Sequence, residues 1–595
     1  MSSVSKVLKD DGARRDAISL HDRSILVEAG AGSGKTAVMA GRIAVMLAEG
    51  VSPRAIAAVT FTELAASELL SRVREFVADL TAGKIAPELR VALPNGLSQA
   101  QRDNLAAASA AIDEITCSTI HGFCQRLIKP YPAEADIDPG AGVMDRNQAD
   151  LTFLEIVDGW LRERLSGGQG GILAEMVLHS PGETVALIHK IAENLRRRRT
   201  LSAPPVSPLG GHLTAFRQAA ADFAGFTDGA VAAEPETAAI VERLAEMATA
   251  LANGPDPATP AGLVRLLTSR PHPDLCTKAG AFASYRKKGK WAAAAKEVGL
   301  SKADGDRLND AAEVHYTACC GAWVSLVQAA AGHTLAALID EARPILQRYR
   351  DHKRASAQLD FDDLIFAARD LLRDHDDVRR ALGQRFAHVL VDEFQDTDPL
   401  QTEIFWRLCG EPVDGADGWT GFRIRPGALF LVGDPKQAIY RFRGADVGAY
   451  VQARDAFRDQ DPGSLLSIST NFRSCASILT FVNERFEVAL SADGQPGFTA
   501  LDPFHDDRGG LCVAALDIAV ADENGKASAE QQRDAEADSI ADLCARLIES
   551  HPIIDRRSGE ERLCQPGDIA LLAPTGAELW RYEEALERRG VPVAT

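Results

Sequence analysis

Ala29-Gly30-Ala31-Gly32-Ser33-Gly34-Lys35-Thr36 follows an apolar run at residues 24–28 and precedes a helical pattern over 37–48. Glycines at 30, 32 and 34 let backbone N–H groups close around anionic oxygens, Lys35 offers a cation to the terminal phosphates, and the Thr36 hydroxyl suits magnesium. The general pattern begins on glycine; here Ala29 stands in that place, and the strand–loop–helix context is kept. The eight residues are therefore read as a phosphate-binding loop for ATP with Mg2+. A strand that feeds such a loop and then a helix is half of a βαβ unit, which predicts an α/β fold with a parallel sheet.

Working outward, short apolar runs recur at 56–60, 114–118, 388–392 and 429–433, each ending on a polar motif. Runs of this kind between helical patterns mark buried parallel strands. The run Val389-Leu390-Val391-Asp392-Glu393 delivers two adjacent carboxylates at a strand end. Asp392 there is the candidate magnesium ligand with Thr36, and Glu393 is the candidate to polarise the water that attacks the γ-phosphate. From 139 to about 354 the pattern turns to Ala-, Leu- and Arg-rich helical periodicity, broken by Pro-rich loops. The expected division is 1–140, first part of an ATPase domain; 141–354, a mostly helical insertion; 355–461, the second part of the same domain; and 462–595, a second α/β domain. That last domain opens with strand candidates at 465–469, 510–517 and 568–573, and carries a polar segment at 522–537 that reads as flexible.

Composition narrows the partners. A chain of 595 residues exceeds one hydrophobic core. The balance of 65 basic against 84 acidic residues, a net charge of −19, argues against coating nucleic acid through the whole surface but leaves room for a local basic groove. No apolar run approaches the roughly 18 residues needed to span a bilayer, and residues 1–11 lack the apolar stretch of a secretory signal, so no membrane partner and a cytoplasmic location are expected. Ten cysteines show no Cys-x-x-Cys spacing and are read as buried, reduced thiols rather than metal ligands. The basic runs Arg196-Arg197-Arg198-Arg199 and Tyr285-Arg286-Lys287-Lys288-Gly289-Lys290-Trp291 lie in the helical insertion. The second interleaves rings with cations and is a candidate grip on duplex DNA. The acids of Leu359-Asp360-Phe361-Asp362-Asp363-Leu364 read as a helix start, where they suit the dipole.

The acidic strand end continues as Asp392-Glu393-Phe394-Gln395-Asp396-Thr397, which resembles the DEFQDT signature of superfamily 1 DNA helicases of the UvrD type. Other motifs follow in the family's order. Ala58-Val59-Thr60-Phe61-Thr62 resembles motif Ia, and Ser118-Thr119-Ile120-His121-Gly122-Phe123 resembles the motif after it. Gly433 through Ala445 resembles motif III, and Thr470-Asn471-Phe472-Arg473-Ser474 resembles motif IV. The resemblance implies RecA-like P-loop ATPase lobes, 3′ to 5′ translocation, and catalytic roles for Lys35, Asp392, Glu393, Gln437 and Arg473. It puts Gln437 on the γ-phosphate, Arg473 as an arginine finger and Phe472 against adenine. Single-stranded DNA would meet Phe61, Thr62, His121, Tyr440, Arg441, Phe442 and Arg443, rings stacking on bases and polar groups meeting phosphates.

The 271 residues from His121 to Asp392 resemble the large insertion of AddA- and RecB-like helicase–nuclease proteins. Those act on duplex ends beside a second large subunit in repair and recombination. The partners implied are single strands, duplex ends and such a subunit. Two departures accompany the match. Arg14 stands where the family commonly carries an adenine-reading Gln, and motifs V and VI are not found, so the second RecA-like domain is expected to be incomplete. A non-unwinding, nucleotide-dependent DNA-binding or sensor subunit is the alternative reading.

Overall fold

Along the strands of the main sheet, successive side chains alternate between two cores. Leu26, Ala57, Val59, Val389, Val391, Leu429 and Leu431 face one, while Ile25, Val27, Ile56, Ala58, Leu390, Phe430 and Val432 face the other. This alternation is the period-2 consequence of a strand buried on both sides, and it explains why the runs read as continuously apolar. The computed structural model describes residues 8–168, 170–199, 203–278, 280–413, 418–441, 445–507, 512–518, 520, 527–555 and 559–594. The described chain divides into two units, Met1–Ser469 and Thr470–Thr595.

In the first unit the strands in chain order are β1 (Ile25–Ala29), β2 (Ile56–Thr60), β3 (Thr116–Thr119), β4 (Gly142–Val143), β5 (Gln358–Leu359), β6 (His388–Val391), β7 (Gly410–Pro412), β8 (Phe422–Ile424), β9 (Leu429–Gly433) and β10 (Leu465–Ile468). Six of them form one sheet in the order β10-β1-β9-β6-β2-β3, with every pairing parallel. Helices cover both faces. Asp11–Ser19, Lys35–Ala48 and Glu63–Thr81 supply one core. Ile120–Ile128, Phe361–Asp374 and Pro399–Cys409 supply the other. The loops at the carboxyl ends of β1, β2, β6 and β9 therefore emerge along one edge of the sheet, the usual place for a ligand in such a fold.

β10 corrects the expected boundary. The sequence reading opens the second domain at 462, but Leu465–Ile468 pairs with β1 in the register Leu26↔Leu465 and completes the first sheet. Hydrophobic patterning marks a strand without saying which sheet it joins. The second unit begins at Thr470.

Helices from Arg146 to Ala355 gather around a core of their own, in which Phe153, Trp160, Phe216, Phe223, Trp291 and Trp323 are buried. The chain enters and leaves this insertion beside the short parallel pair β4–β5. Its last helix, Lys302–Ala355, has 54 residues and is the one described helix long and apolar enough to meet the length and composition criteria for a membrane span. Its side chains Ala312, Cys319, Trp323, Leu326, Ala330 and Leu338 instead fill the insertion's core.

The second unit holds β11 (Thr470–Cys475) parallel to β12 (Asp502–His505), β13 (Pro552–Ile554) antiparallel to β14 (Glu561–Leu563), and helices Ala476–Leu490, Ala529–Leu547 and Leu579–Glu587. Two expectations fail here. The described residues at 512–518 and 568–573 form no strand, and most of the segment read as flexible is the helix Ala529–Leu547. That helix is started by a reciprocal Ser528–Gln531 capping box and anchored by Ala537, Ala541 and Cys544. The capping signal, not the local polarity, decides its state.

Candidate active site

The turn after β1 is built by two left-handed glycines, Gly32 at φ 68° and Gly34 at φ 83°. A Cβ at Gly34 would touch nothing within 4 Å, so the demand there is conformational rather than steric. Gly34 caps the helix Lys35–Ala48 without a side-chain hydrogen bond, which leaves first-turn N–H groups and the positive end of the helix dipole to an anion. Ser33 is buried, and its Oγ has no hydrogen-bond partner among the described residues. Thr36 is exposed in the first turn.

The Lys35 ammonium donates to Glu393 Oε2 at 2.7 Å, which joins the loop after β1 to the end of β6. Asp392 is buried; its backbone N–H donates to Val59 O, and its Oδ1 accepts from Glu393 N at 2.9 Å. Glu393 itself sits at φ 48°, a left-handed conformation that a non-glycine residue adopts at a cost of about 1 kcal/mol or more. Burial and then the Glu393 charge raise Asp392 to about 6, and the same two causes raise Asp396 to about 6. Asp396 Oδ1 is also buried without a partner among the described residues. Carboxylates raised in this way are short of positive charge, so the set fits a divalent cation beside an anionic ligand.

Gln395, which carries no role of its own in the sequence reading of the acidic motif, proves central. Its Nε2 donates to Glu393 Oε2 at 2.7 Å, and its Oε1 accepts from Asp434 N at 2.9 Å. Asp434 in turn accepts from Gln437 Nε2 at 2.7 Å. A continuous polar chain thus runs Lys35, Glu393, Gln395, Asp434, Gln437 across the ends of β1, β6 and β9. The sequence signal for Gln395 is its place one residue past Phe394 and two past the acidic pair's Glu393, on the 3-10 turn Phe394–Asp396.

Arg14 is a second contributor that sequence reasoning misses. Its Nη1 donates to Ser33 O at 2.9 Å, while Nε and Nη2 donate to Asp10 at 3.0 Å. Asp10 Oδ2 also accepts from Ser469 N at 3.0 Å. The residue at the expected Gln position therefore braces the backbone of the phosphate-binding loop.

Near the ends of β2 and β9 the rings of Phe61 and Tyr440 lie 5.1 Å apart, tilted by 31°. Thr62 is exposed, and its Oγ1 caps the following helix by accepting from Ala65 N. Leu64 and Ile439, which no motif reading singles out, are 69% and 71% exposed beside these residues in the chain. His121 meets Phe361 edge-on at 5.2 Å, and burial lowers its pKa, which favours a neutral ring over a phosphate-binding cation. Arg441 is exposed. Phe442 and Arg443 lie outside the described residues. Phe472 and Arg473 belong to the second unit, where Phe472 packs 4.9 Å from Phe504 and Asn471 Oδ1 accepts from Arg473 N.

The basic runs of the insertion are largely spent internally. Tyr285 and Trp291 are buried and joined by a 2.8 Å hydrogen bond, and both Lys287 and Lys290 pair with Glu236. Arg196 pairs with Asp150 and stacks on Phe153 and Tyr349, and Arg199 pairs with Asp363. In the Tyr285–Trp291 run the two rings belong to a helical core, while Arg286, Lys288 and Lys290 stay exposed. The acids at 360–363 act as read: Asp360 and Asp363 form a capping box on the helix Phe361–Asp374, and Lys353 is paired with both.

A parallel sheet whose strand ends bring a glycine-rich loop and its lysine onto paired acids is the framework of a nucleoside-triphosphate-dependent enzyme. The family model of the UvrD/REP helicase N-terminal domain matches residues 11–458, and the chain belongs to that family. Among curated relatives, the A subunit of the ATP-dependent helicase/nuclease of Pediococcus pentosaceus is 25% identical over 98% of this chain and 48% of its own length. The proteins of the same name from Bacillus cytotoxicus and Natranaerobius thermophilus are each 25% identical, over 97% and 80% of this chain and 48% and 37% of their own lengths. The chain spans about half the length of the curated relatives it matches, or less.

Proposed function

We propose that this chain is the ATP-hydrolysing part of a DNA helicase or translocase that acts in repair and recombination as one component of a helicase–nuclease. The observation that carries the reading is the 2.7 Å contact from Lys35 to Glu393 at the strand ends, in a chain of the UvrD/REP family. The strand order supports a RecA-like reading of the first lobe, since β9 lies between the strand that ends on the phosphate loop and the strand that ends on the acids. The second unit is read as part of a second such lobe.

In this reading the N–H groups of residues 30–36 cradle the phosphates, and Lys35 leaves Glu393 to neutralise the β and γ oxygens. Asp392 and Thr36 would hold Mg2+, which when bound offsets phosphate charge. Glu393, freed from Lys35 and still oriented by Gln395, accepts a proton from the attacking water. Gln437, tied through Asp434 to Gln395, reports the state of the γ-phosphate to the motif III segment that carries Tyr440. Phe61 and Tyr440 would stack on bases, with Thr62, His121, Arg441, Phe442 and Arg443 alongside them. Arg473 and Phe472 are assigned to phosphate and adenine by resemblance alone. The 3′ to 5′ direction rests on the same resemblance. A second large subunit rests on it too, and on relatives whose names make them one component of a multi-subunit helicase/nuclease.

The test is phosphate release with and without single-stranded DNA. Strong stimulation by DNA that disappears in Lys35→Ala is expected, and full DNA-stimulated hydrolysis in that variant would overturn the reading. Duplexes with a 3′ or a 5′ tail then decide polarity.

A further inference from the structure

The second unit brings together three ligand-type side chains that sequence spacing keeps apart. The Sγ atoms of Cys475 and Cys512 and a carboxylate oxygen of Asp507 all lie within 4.8 Å of one another. Tetrahedral Zn2+ sites have metal–sulfur distances of about 2.3 Å and metal–oxygen distances of about 2.0–2.2 Å, which puts ligand atoms roughly 3.5–4 Å apart. Small side-chain rotations close the remaining difference. We propose that Cys475, Asp507 and Cys512 bind a thiophilic divalent cation of the Zn2+ class, with water in the fourth position. The inference is independent of the ATPase reading, because it concerns a different site and is read without nucleotide.

Cys475 and Asp507 are held for the task by the local fold. Cys475 ends β11 and occupies the N-cap of the helix Ala476–Leu490, yet it makes no side-chain capping bond there. The capping is done by Asp507, whose two oxygens accept from Ser477 N at 2.9 Å and Ser477 Oγ at 2.6 Å. These bonds fix the carboxylate plane and leave each oxygen a lone pair, the role that outer hydrogen bonds play around ligating carboxylates. Capping accounts for Asp507 but not for two thiols converging on it. Both cysteines are half-buried and Asp507 is exposed, so an ion can reach them.

Two soft sulfurs with one oxygen favour zinc-like ions over Mg2+ or Ca2+, which prefer all-oxygen shells. Cys475 follows the Phe472–Arg473 segment by two residues, so an ion here would clamp the end of that strand to the segment after β12.

The test uses the whole chain, reduced, stripped with a chelator and titrated with Co2+. A thiolate-to-cobalt charge-transfer band with tetrahedral d–d absorption should saturate at one equivalent and be displaced by Zn2+. Cys512→Ser should lose most of the charge-transfer intensity, and Asp507→Asn should weaken affinity by about 10-fold or more. Should the variants fail to fold, Zn2+ should still protect Cys475 and Cys512 of the unmodified chain from alkylation, read by peptide mass. Absence of the band and of protection overturns the site. So does a band that persists in the Cys475→Ser/Cys512→Ser protein, or a Cys475–Cys512 disulfide whose reduction brings no metal uptake.

Discussion

Lys35 donates a 2.7 Å hydrogen bond to Glu393 although their strands are not neighbours, since β9 separates β1 from β6. The contact spans the strand-end cleft in which phosphate and acid chemistry would meet. Lys35→Ala removes this cation from beside Asp392, Glu393 and Asp396. DNA-stimulated hydrolysis should then fall by about 10²-fold or more, the usual cost of losing a preorganised charge partner. Steady-state phosphate release at saturating DNA checks it.

Glu393→Gln separates binding from chemistry. A glutamine can still accept from Lys35 and from Gln395, so the polar chain survives. It cannot accept a proton from water. Nucleotide affinity, measured with a fluorescent analogue, should stay within a few-fold, while turnover drops about 10²–10⁴-fold.

Gln395 offers a test away from the phosphates. It is buried and satisfies Glu393 and the Asp434 N–H together. Gln395→Ala leaves the buried N–H unpaired at a cost of about 1–3 kcal/mol. Gly433→Ala should act through the same residue, because its Cβ would stand 2.8 Å from Gln395 Oε1. Urea denaturation should show both variants destabilised, with hydrolysis impaired in each.

The strands of the first sheet are legible in the sequence because a strand buried on both faces has few ways to be written: 56–60 and 429–433 coincide with β2 and β9. Lys35, Asp392 and Glu393 are legible because strand ends carry their chemistry in contiguous motifs. Three kinds of information are not. The partner of β10 depends on long-range register, and the inward turn of the Tyr285 and Trp291 rings depends on burial in a helical core. The bracing of Ser33 by Arg14 and the meeting of Cys475 with Cys512 depend on tertiary proximity that spacing does not encode.

Phe61 and Tyr440 test the DNA side. Their rings already pack together at 5.1 Å, so a base would add to a formed aromatic surface. Phe61→Ala should weaken single-strand affinity by about 1–3 kcal/mol, the usual worth of one stacked base. Because no charge is removed, the salt dependence of binding should be unchanged, whereas Arg441→Ala should reduce that slope. Fluorescence anisotropy over a series of salt concentrations distinguishes the two.

Asp392 makes the acid cluster a source of pH-dependent stability. Its folded pKa is raised from 3.8 to about 6, first by burial and then by Glu393, so the folded protein holds this proton more tightly than the unfolded chain does. The stability it contributes is fully present below the unfolded value and is lost as pH rises through about 6, a change on the order of 3 kcal/mol for the buried group. Asp396 is raised to about 6 as well and adds in the same direction. Urea denaturation in chelator from pH 4 to 7 should show this loss in the unmodified protein minus Asp392→Asn difference. Saturating Mg2+ favours the ionised carboxylate and should flatten that difference, while Mg2+ affinity itself falls as pH drops below about 6. An identical pH slope in Asp392→Asn would show that Asp392 is not the group that holds the buried proton.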